Sequence, residues 1–253
     1  MEDQYTADQP VRSMSFSEKI VNIFASPGEL FENVRLTGKT PGNWIIPWIT
    51  FVIVAIIMGQ LVMHNASLSD QIGATIKKGF DKQVQEGKLP QERADQIYEQ
   101  YAKPGSTMFT VSQIGGTALM SSVALFALGL LYWLIGKSAM KATAPFMKVI
   151  EVVGLTFFIA TLEQIVTTML MIAMDSIRAT PSLGIFVSDF DIENKAHVAL
   201  AKLNAFTFWD LSVVSVGLSK LFQRDFPKVL VLVLAIWILW ALVTIFTGMR
   251  FGS

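Results

Sequence analysis

The sequence predicts an all-α, polytopic integral membrane protein: a five-helix transmembrane bundle with amphipathic N-terminal helices and an extracytoplasmic helical hairpin. Hydrophobic residues make up 52% of the 253 positions and charged residues only 16%, whereas a soluble domain carries about 25% charged residues. The mean hydropathy is +0.49. Apolar residues are concentrated in five segments, each of a length that suits the hydrocarbon core of a bilayer.

Composition divides the chain into three regions. We expect a disordered tail over residues 1–14, amphipathic pre-membrane helices over 15–43 and a membrane domain over 44–250. The predicted spans are 44–63, 109–135, 147–174, 206–222 and 229–248, and a helical hairpin occupies the polar segment 64–108. No apolar stretch precedes the pre-membrane region, so we expect no cleavable signal peptide and assign membrane insertion to the first span.

Two short amphipathic patterns make up the pre-membrane region. In the first, apolar residues recur at helical spacing: Phe16, Ile20, Ile23 and Phe24. The second pattern begins at Ser26 as the predicted N-cap, with Pro27 at the first helical position and Glu29 completing a capping box. Both helices are too short to span, so we expect them at the membrane surface or packed under the bundle. A plain cytoplasmic tail is the alternative.

The third span, 147–174, is the centre of the predicted bundle because it carries a carboxylate deep in an apolar run. One face of this helix is small and polar: Thr156, Ala160, Glu163 and Thr167. Gln164 follows Glu163 directly. A carboxylate is costly in hydrocarbon, so this stripe should face other helices or a wet cavity. It is either a proton, cation or lipid-headgroup site, or a hydrogen-bonded pin between helices.

Other spans carry weaker polar and small-residue signals. The fourth span is short, with Asp210 near one end and Lys220 near the other. Snorkelling of both side chains to the interface explains them, and a polar pathway shared with Glu163 is the alternative. In the second span, Gly115 and Gly116 belong to a stripe of small residues that predicts close helix packing.

The distribution of lysine and arginine predicts the orientation. Two short links on the N-terminal side are flanked by basic residues: Lys137, Lys141 and Lys148, and then Lys220, Arg224 and Lys228. The positive-inside rule therefore predicts a cytoplasmic N-terminus and an extracytoplasmic C-terminus in the cell (inner) membrane. The segment 64–108 also holds six basic residues, but they are spread along it and matched by six acidic ones.

The sequence contains few candidates for a catalytic or metal site. Glu151 follows Lys148 by one turn, and we interpret the two as an ordinary i,i+3 ion pair. His64 and His197 are the only histidines, and their spacing is weak evidence for a metal. The sequence lacks metalloprotease, serine-hydrolase and P-loop motifs, and it has no cysteine for thiol catalysis or disulfides. Basic residues are interspersed with acidic ones, so we expect no nucleic-acid binding.

Several stretches, in order, resemble the Yip1 family of polytopic membrane proteins. They are Phe24-Ala25-Ser26-Pro27 followed by Phe31, then Leu89-Pro90-Gln91-Glu92, then Leu203-Asn204-Ala205-Phe206 leading to Trp209 and Gly217-Leu218, and the final lysine-rich turn with its apolar helix. The likeness extends over residues from about 16 to 250. In its lack of cysteine and its large hairpin loop, the chain resembles bacterial members of the family.

The resemblance implies a five-span fold with a cytoplasmic N-terminus and no known catalytic activity. Eukaryotic relatives act in vesicle trafficking and contact small GTPases, and some bacterial relatives are associated with export-type ABC transporter systems. The residues that match the pre-membrane motif form our candidate interaction surface: Phe24, Ser26, Pro27 and Phe31.

From these observations we expect a non-enzymatic membrane scaffold or accessory subunit that recruits or stabilises a partner complex, plausibly an ABC-type export system. The expected partners are membrane lipid, other membrane proteins such as an ABC transporter or its adaptor, and a second copy of the chain. We expect no cofactor and no metal. The alternative is a small transporter or channel that uses the polar stripe around Glu163. A membrane-embedded enzyme has little support because no acid–base or nucleophile constellation is present.

Overall fold

The computed structural model describes residues 12–247, which form helices joined by short loops. In chain order the α-helices are α1 (Phe16–Ala25), α2 (Pro27–Leu36), α3 (Gly42–His64), α4 (Ala66–Gln85), α5 (Gln91–Ile97), α6 (Thr107–Met140), α7 (Phe146–Met174), α8 (Lys195–Lys202), α9 (Ala205–Phe222) and α10 (Phe226–Thr247). A π-helical turn, Tyr98–Ala102, continues α5, and a 3₁₀ turn, Leu183–Phe186, precedes α8. Predicted features at residues 1–11 and at 248 and beyond lie outside the described residues.

Five of these helices are long and apolar enough to cross a membrane: α3, α6, α7, α9 and α10. This confirms the predicted fold class. Each crossing reverses the side of the chain, so α1, α2 and the α6–α7 and α9–α10 links share one face of the bundle, which we call the N-terminal face. The hairpin of α4 and α5 and the segment with α8 lie on the opposite face, which we call the distal face.

Helix α7 occupies the centre of the bundle, as the sequence predicts. It packs against α3, α6 and α9 and also against α1 and α2, whereas α10 packs on α9 and α8. Two glycines permit close helix contact. A Cβ atom added at Gly154 would lie 2.3 Å from the Trp44 Cβ and 2.5 Å from its Cα, and one added at Gly217 would lie 2.5 Å from a Val152 methyl. Helices α3 and α9 therefore approach α7 more closely than any side chain at these positions would allow.

The close helix packing predicted at Gly115 and Gly116 of the second span is wrong. A Cβ added at Gly115 or Gly116 would meet nothing within 4 Å, so these glycines mark no close contact within the chain. Close approach on α6 occurs further along, where Gly129 contacts Ile150 and Gly136 contacts the Phe222 ring. The sequence locates small residues, but it does not say which of them has a helix opposite.

Helices α1 and α2 pack against the bundle instead of extending away from it. A capping box begins α1, because Ser15 Oγ accepts from the Glu18 backbone N and Glu18 in turn accepts from the Ser15 N. Pro27 opens α2 as predicted, but the predicted capping box at Ser26 is wrong, since its side chain makes no capping hydrogen bond. The backbone at Ser26 (φ −144°, ψ 62°) is that of a sharp corner between the two helices.

The end of the predicted disordered tail is ordered. The Asn33 side chain accepts a hydrogen bond from the Met14 backbone N (3.0 Å) and donates one to the Arg12 carbonyl (2.8 Å). Arg12 also forms an ion pair with Glu18 at 2.8 Å. The segment before α1 is therefore held against α2, which the polar composition of the tail did not suggest.

The predicted helical hairpin is present on the distal face. Asn65 caps α4, and Leu68 is fully buried at its base. Gly73 allows α4 to approach α5, because a Cβ at this position would lie 3.1 Å from the Tyr98 hydroxyl and 3.5 Å from the Pro104 ring. We call this unit, residues 64–105, the distal arm.

The second distal segment joins α7 to α9 and folds back on the bundle. Ser182 and Asn204 form an antiparallel β-bridge, and Leu183 N donates to Leu203 O at 3.1 Å. Helix α8, predicted from about 192 to 203, packs on α10, with the Lys195 ammonium 4.7 Å from the centre of the Phe246 ring. The bridge places Asn204 at the start of α9, next to α7.

Candidate functional site

Glu163 lies where α9 begins. It follows Phe146 by 17 residues along α7, about 26 Å from the N-terminal end of that helix. The half-buried carboxylate accepts a hydrogen bond from Asn204 Nδ2 at 2.7 Å, and the Asn204 Oδ1 accepts from the Phe206 backbone N at 2.8 Å. One asparagine therefore caps the fourth span and binds the carboxylate of the third.

Asp210 and Thr156 extend this polar contact along the same helix interface. Thr156 is 5% exposed, and its hydroxyl donates to the Val153 carbonyl at 3.0 Å. The Asp210 carboxylate lies within reach of the Thr156 side chain and close enough to Glu163 for the two charges to interact. The structure thus brings Thr156, Glu163, Asp210 and Asn204 together between α7 and α9. We call these four residues the α7–α9 polar cluster.

Two other candidates for the intramembrane polar site, Gln164 and Thr167, are not part of this cluster. Gln164 and Thr167 are half-buried on α7, and within residues 12–247 neither side chain forms a hydrogen bond. Gln164 is turned by about 100° around the helix from Glu163, which directs it away from the start of α9. Asp210 was expected near the end of its span, and its position beside the Thr156 side chain shows that it faces α7 there.

A second polar cluster lies at the N-terminal face and is more deeply buried. It consists of Lys19, Asn43, Lys148 and Glu151, which are 5%, 2%, 6% and 2% exposed. We call it the basal network. Glu151 accepts hydrogen bonds from Lys148 Nζ (3.1 Å), Asn43 Nδ2 (2.8 Å) and the Thr40 backbone N (3.0 Å).

The two cations of the basal network differ in their hydrogen bonding, since Lys148 uses all three donors of its ammonium and Lys19 uses one. Lys148 Nζ donates to the carbonyls of Val34 (2.7 Å) and Gly38 (2.8 Å) as well as to Glu151. Lys19 Nζ donates to Asn43 Oδ1 at 2.8 Å, so Asn43 bridges the lysine and the glutamate. Burial lowers the pKa of Lys19, an effect that the charge of Glu151 opposes and that of Lys148 reinforces. Burial of the Lys148 and Glu151 charges is tolerated because each has three hydrogen-bond partners.

The basal network joins the N-terminal helices to the bundle. It connects α1 through Lys19, the end of α2 and its following loop through Val34 and Gly38, α3 through Asn43, and α7 through Lys148 and Glu151. The predicted Lys148–Glu151 pair therefore exists, but its interpretation as an ordinary ion pair is wrong because both side chains are buried. The sequence offers no local signal for this burial, because Lys19 directly follows Glu18 and Asn43 follows the polar stretch before α3.

The candidate interaction surface is only partly accessible. Phe24 is 36% exposed, and its ring lies 5.7 Å from that of Trp209. Ser26 and Pro27 are half-buried at the corner between α1 and α2. Phe31 is 1% exposed, and its ring lies 3.1 Å from the Cβ position of Gly217. Phe31 therefore anchors α2 to α9, and only the other three residues remain available to a partner.

The histidines are occupied by local hydrogen bonds. His64 Nδ1 lies 2.7 Å from the Gln60 carbonyl, and His197 Nδ1 accepts from the Asp191 backbone N at 3.0 Å. Among residues 12–247, no group of three or more histidine, aspartate or glutamate side chains is arranged to hold a metal ion.

Comparison with known proteins gives one match. The family model described as the Yip1 domain matches residues 21–248, nearly the whole chain. No curated protein and no solved structure shows significant similarity to the chain. The matched region begins within α1 and includes the basal network from Asn43 onward, the α7–α9 polar cluster and the distal arm.

Proposed function

The chain belongs to the Yip1 family, and from this premise we propose that it is a non-enzymatic scaffold or accessory subunit that recruits or stabilises a partner complex in the membrane. The observation that carries the proposal is the distal arm. Helix α4 has 20 residues, so it extends about 30 Å, and most side chains along it and α5 are exposed. A folded helical projection on a membrane bundle is suited to contact another protein.

The construction of the arm supports this role. Its base is fixed to the bundle, because Gln71 donates to the Asp175 carbonyl at 2.9 Å and accepts from the Ile177 backbone N at 3.2 Å. Towards its tip, Lys77, Lys78 and Lys88 are exposed. A fixed base keeps the entropy cost of ordering the arm on binding small.

The N-terminal face offers the second proposed contact surface. The basal network holds α1 and α2 rigidly, and exposed apolar residues remain on them: Val21 is 61% exposed and Leu36 is 48% exposed. In the orientation that the flanking lysines and arginines favour, this face is cytoplasmic and the distal arm is extracytoplasmic, in the inner membrane of a bacterium. We propose a membrane complex of the ABC export type as the partner. This choice rests on the family resemblance.

Site-specific cross-linking tests the proposal. A photoreactive amino acid at Lys78 reports on the distal arm, and the same residue at Val231, which is 67% exposed on the membrane span α10, is the matched control. We expect Lys78 to give a discrete adduct with another membrane protein in intact cells and Val231 to give none. The same partner should be recovered with the chain after purification in mild detergent. Adducts with the chain itself alone, or none, would contradict the proposal.

A transporter or channel is the second candidate, and the location of Glu163 and Asp210 on two membrane spans that face each other favours it, since ionisable residues within membrane spans often mark ion or proton paths. The chain has no cysteine, so Ala160→Cys, half-buried one turn before Glu163, gives a clean probe. Labelling by a membrane-impermeant maleimide would indicate a wet path and support transport. Protection from this reagent, with labelling after unfolding, would support the scaffold.

A further inference from the structure

Two adjoining grooves lie at the N-terminal face between α2 and the end of α9. The larger, of about 510 Å³, exposes polar and apolar surface in nearly equal parts and is lined by Glu32, Arg35, Lys220, Arg224, Asp225 and Phe226, among others. The smaller, of about 370 Å³, contains apolar surface from Met14, Gly28 and Leu36. Glu32 and Lys220 line both grooves, so the two form one continuous open groove, which we call the channel. Its polar end carries most of the charged side chains, and its apolar end has mainly apolar surface with Glu29 at its edge.

The channel lies at headgroup depth. Lys220 is in the last turn of one membrane span, and Phe226 is the first residue of the next. The ends of membrane spans coincide with the polar interface of the bilayer. Leu36 and Phe226 are 48% and 38% exposed, so apolar surface is open at the channel.

Among residues 12–247, the side chains that line the channel include one cation without an ion-pair or hydrogen-bond partner. Arg35 forms an ion pair with Glu32, and Lys228 forms one with Asp225 at 2.6 Å. Arg224 is directed to the Met140 carbonyl, to which its Nη2 and Nε donate at 2.8 and 3.0 Å.

Lys220 is exposed, and within residues 12–247 its ammonium forms neither an ion pair nor a hydrogen bond. It acts on Glu32 only at longer range, where its charge helps Arg35 to lower the pKa of that carboxyl. The Lys220 ammonium is therefore available to an anion in the channel.

We propose that this channel binds an acidic phospholipid, with the phosphate at Lys220 and an acyl chain along Met14 and Leu36. A free phosphate would use only the polar end, whereas an acidic phospholipid complements both ends. Basic pockets between membrane helices recognise acidic headgroups by this combination of charge and apolar surface. The inference is independent of the proposed scaffold function.

The test uses the full chain in nanodiscs of phosphatidylcholine, with or without phosphatidylglycerol, and measures retained lipid by native mass spectrometry. We expect the wild-type chain to retain phosphatidylglycerol in preference to phosphatidylcholine. Lys220→Gln should reduce this preference about five-fold, since one lysine near an acidic surface contributes about that factor. Lys39→Gln is the matched control, because Lys39 is exposed on the same face but does not line the channel.

Several results would overturn the inference: no lipid preference in the wild-type chain, an equal loss in Lys39→Gln, or no loss in Lys220→Gln. Equal thermal stabilisation by inorganic phosphate would show a free-anion site instead of a lipid site. The Leu36→Asn variant tests the apolar end of the channel separately from the polar end. It should weaken binding of long-chain phosphatidylglycerol without changing the response to inorganic phosphate. Circular dichroism in phosphatidylcholine nanodiscs verifies that each variant is folded.

Discussion

Lys148 and Glu151 form an ion pair of 3.1 Å in which the two side chains are 7% and 2% exposed. Both residues are in the first two turns of the central helix, and each also binds the segment between α2 and α3. The pair therefore fixes the N-terminal helices to α7. A buried ion pair is not in itself evidence of high stability, because desolvation of both charges opposes their attraction.

Removal of one partner from this pair should be far more damaging than removal of both. Glu151→Leu leaves the Lys148 ammonium buried without its counter-ion, and we expect unfolding to become easier by about 3–5 kcal/mol. Lys148→Met should have a similar effect. The double variant should lose clearly less stability than the sum of the losses in the two single variants, as measured by thermal unfolding in detergent. Strict additivity would show that the two charges are not coupled.

Substitution of Gly154 should separate α3 from α7. Gly154→Ala places a methyl group 2.3–2.5 Å from Trp44, part of it against backbone that cannot move aside, so we expect a loss of about 1–3 kcal/mol. Gly116→Ala is the control on α6, where the methyl group meets nothing within 4 Å. The control should be neutral or more stable by up to about 1 kcal/mol, because alanine favours helix. Equal melting temperatures for both variants would contradict the close contact.

Glu163 variants distinguish a structural hydrogen bond from a functional charge. Glu163→Gln retains an acceptor for Asn204 Nδ2, so the protein should remain folded. Glu163→Leu leaves that amide without its partner and should cost about 1–3 kcal/mol of stability. Thermal unfolding measures both. If the leucine variant has the melting temperature and the function of the wild type, Glu163 provides neither a structural hydrogen bond between helices nor a functional charge.

Acidification should release the start of α1. The hydrogen bond from the Ser15 backbone N (2.6 Å) is the main cause of the lowered pKa of Glu18. Because the folded pKa lies below the ordinary value of 4.5, the stabilisation is present above that value and is lost as the pH falls through the folded pKa. Hydrogen exchange of α1 amides, corrected for intrinsic rates, should show the loss. The Glu18→Gln variant should show no such pH dependence. If the pH dependence persists in this variant, another group is responsible for it.

The sequence was sufficient for the membrane architecture but not for the deepest polar site. Four of the five spans are apolar runs of about 20 residues or more, which predict membrane helices directly, and the short fourth span, α9, was predicted from a weaker signal. The ion pair of Lys148 and Glu151 was misread because i,i+3 pairs are usually solvated. Only the return of the 37–43 segment over α7 buries it, and nothing local encodes that return. Gly115 and Gly116 were misassigned for the same reason, since close packing depends on what lies opposite.

The basal network also constrains how the chain is assembled during synthesis. Asn43 and Glu151 are 108 residues apart, and Lys148 and the Val34 carbonyl are 114 apart. At ribosomal elongation rates, about 5–20 s separate the emergence of these partners. The first two helices therefore wait at the membrane, with Lys19 and Asn43 unsatisfied by their final neighbours, until the third span has left the translocon. Locking of the N-terminal helices is thus a late maturation step that follows membrane insertion.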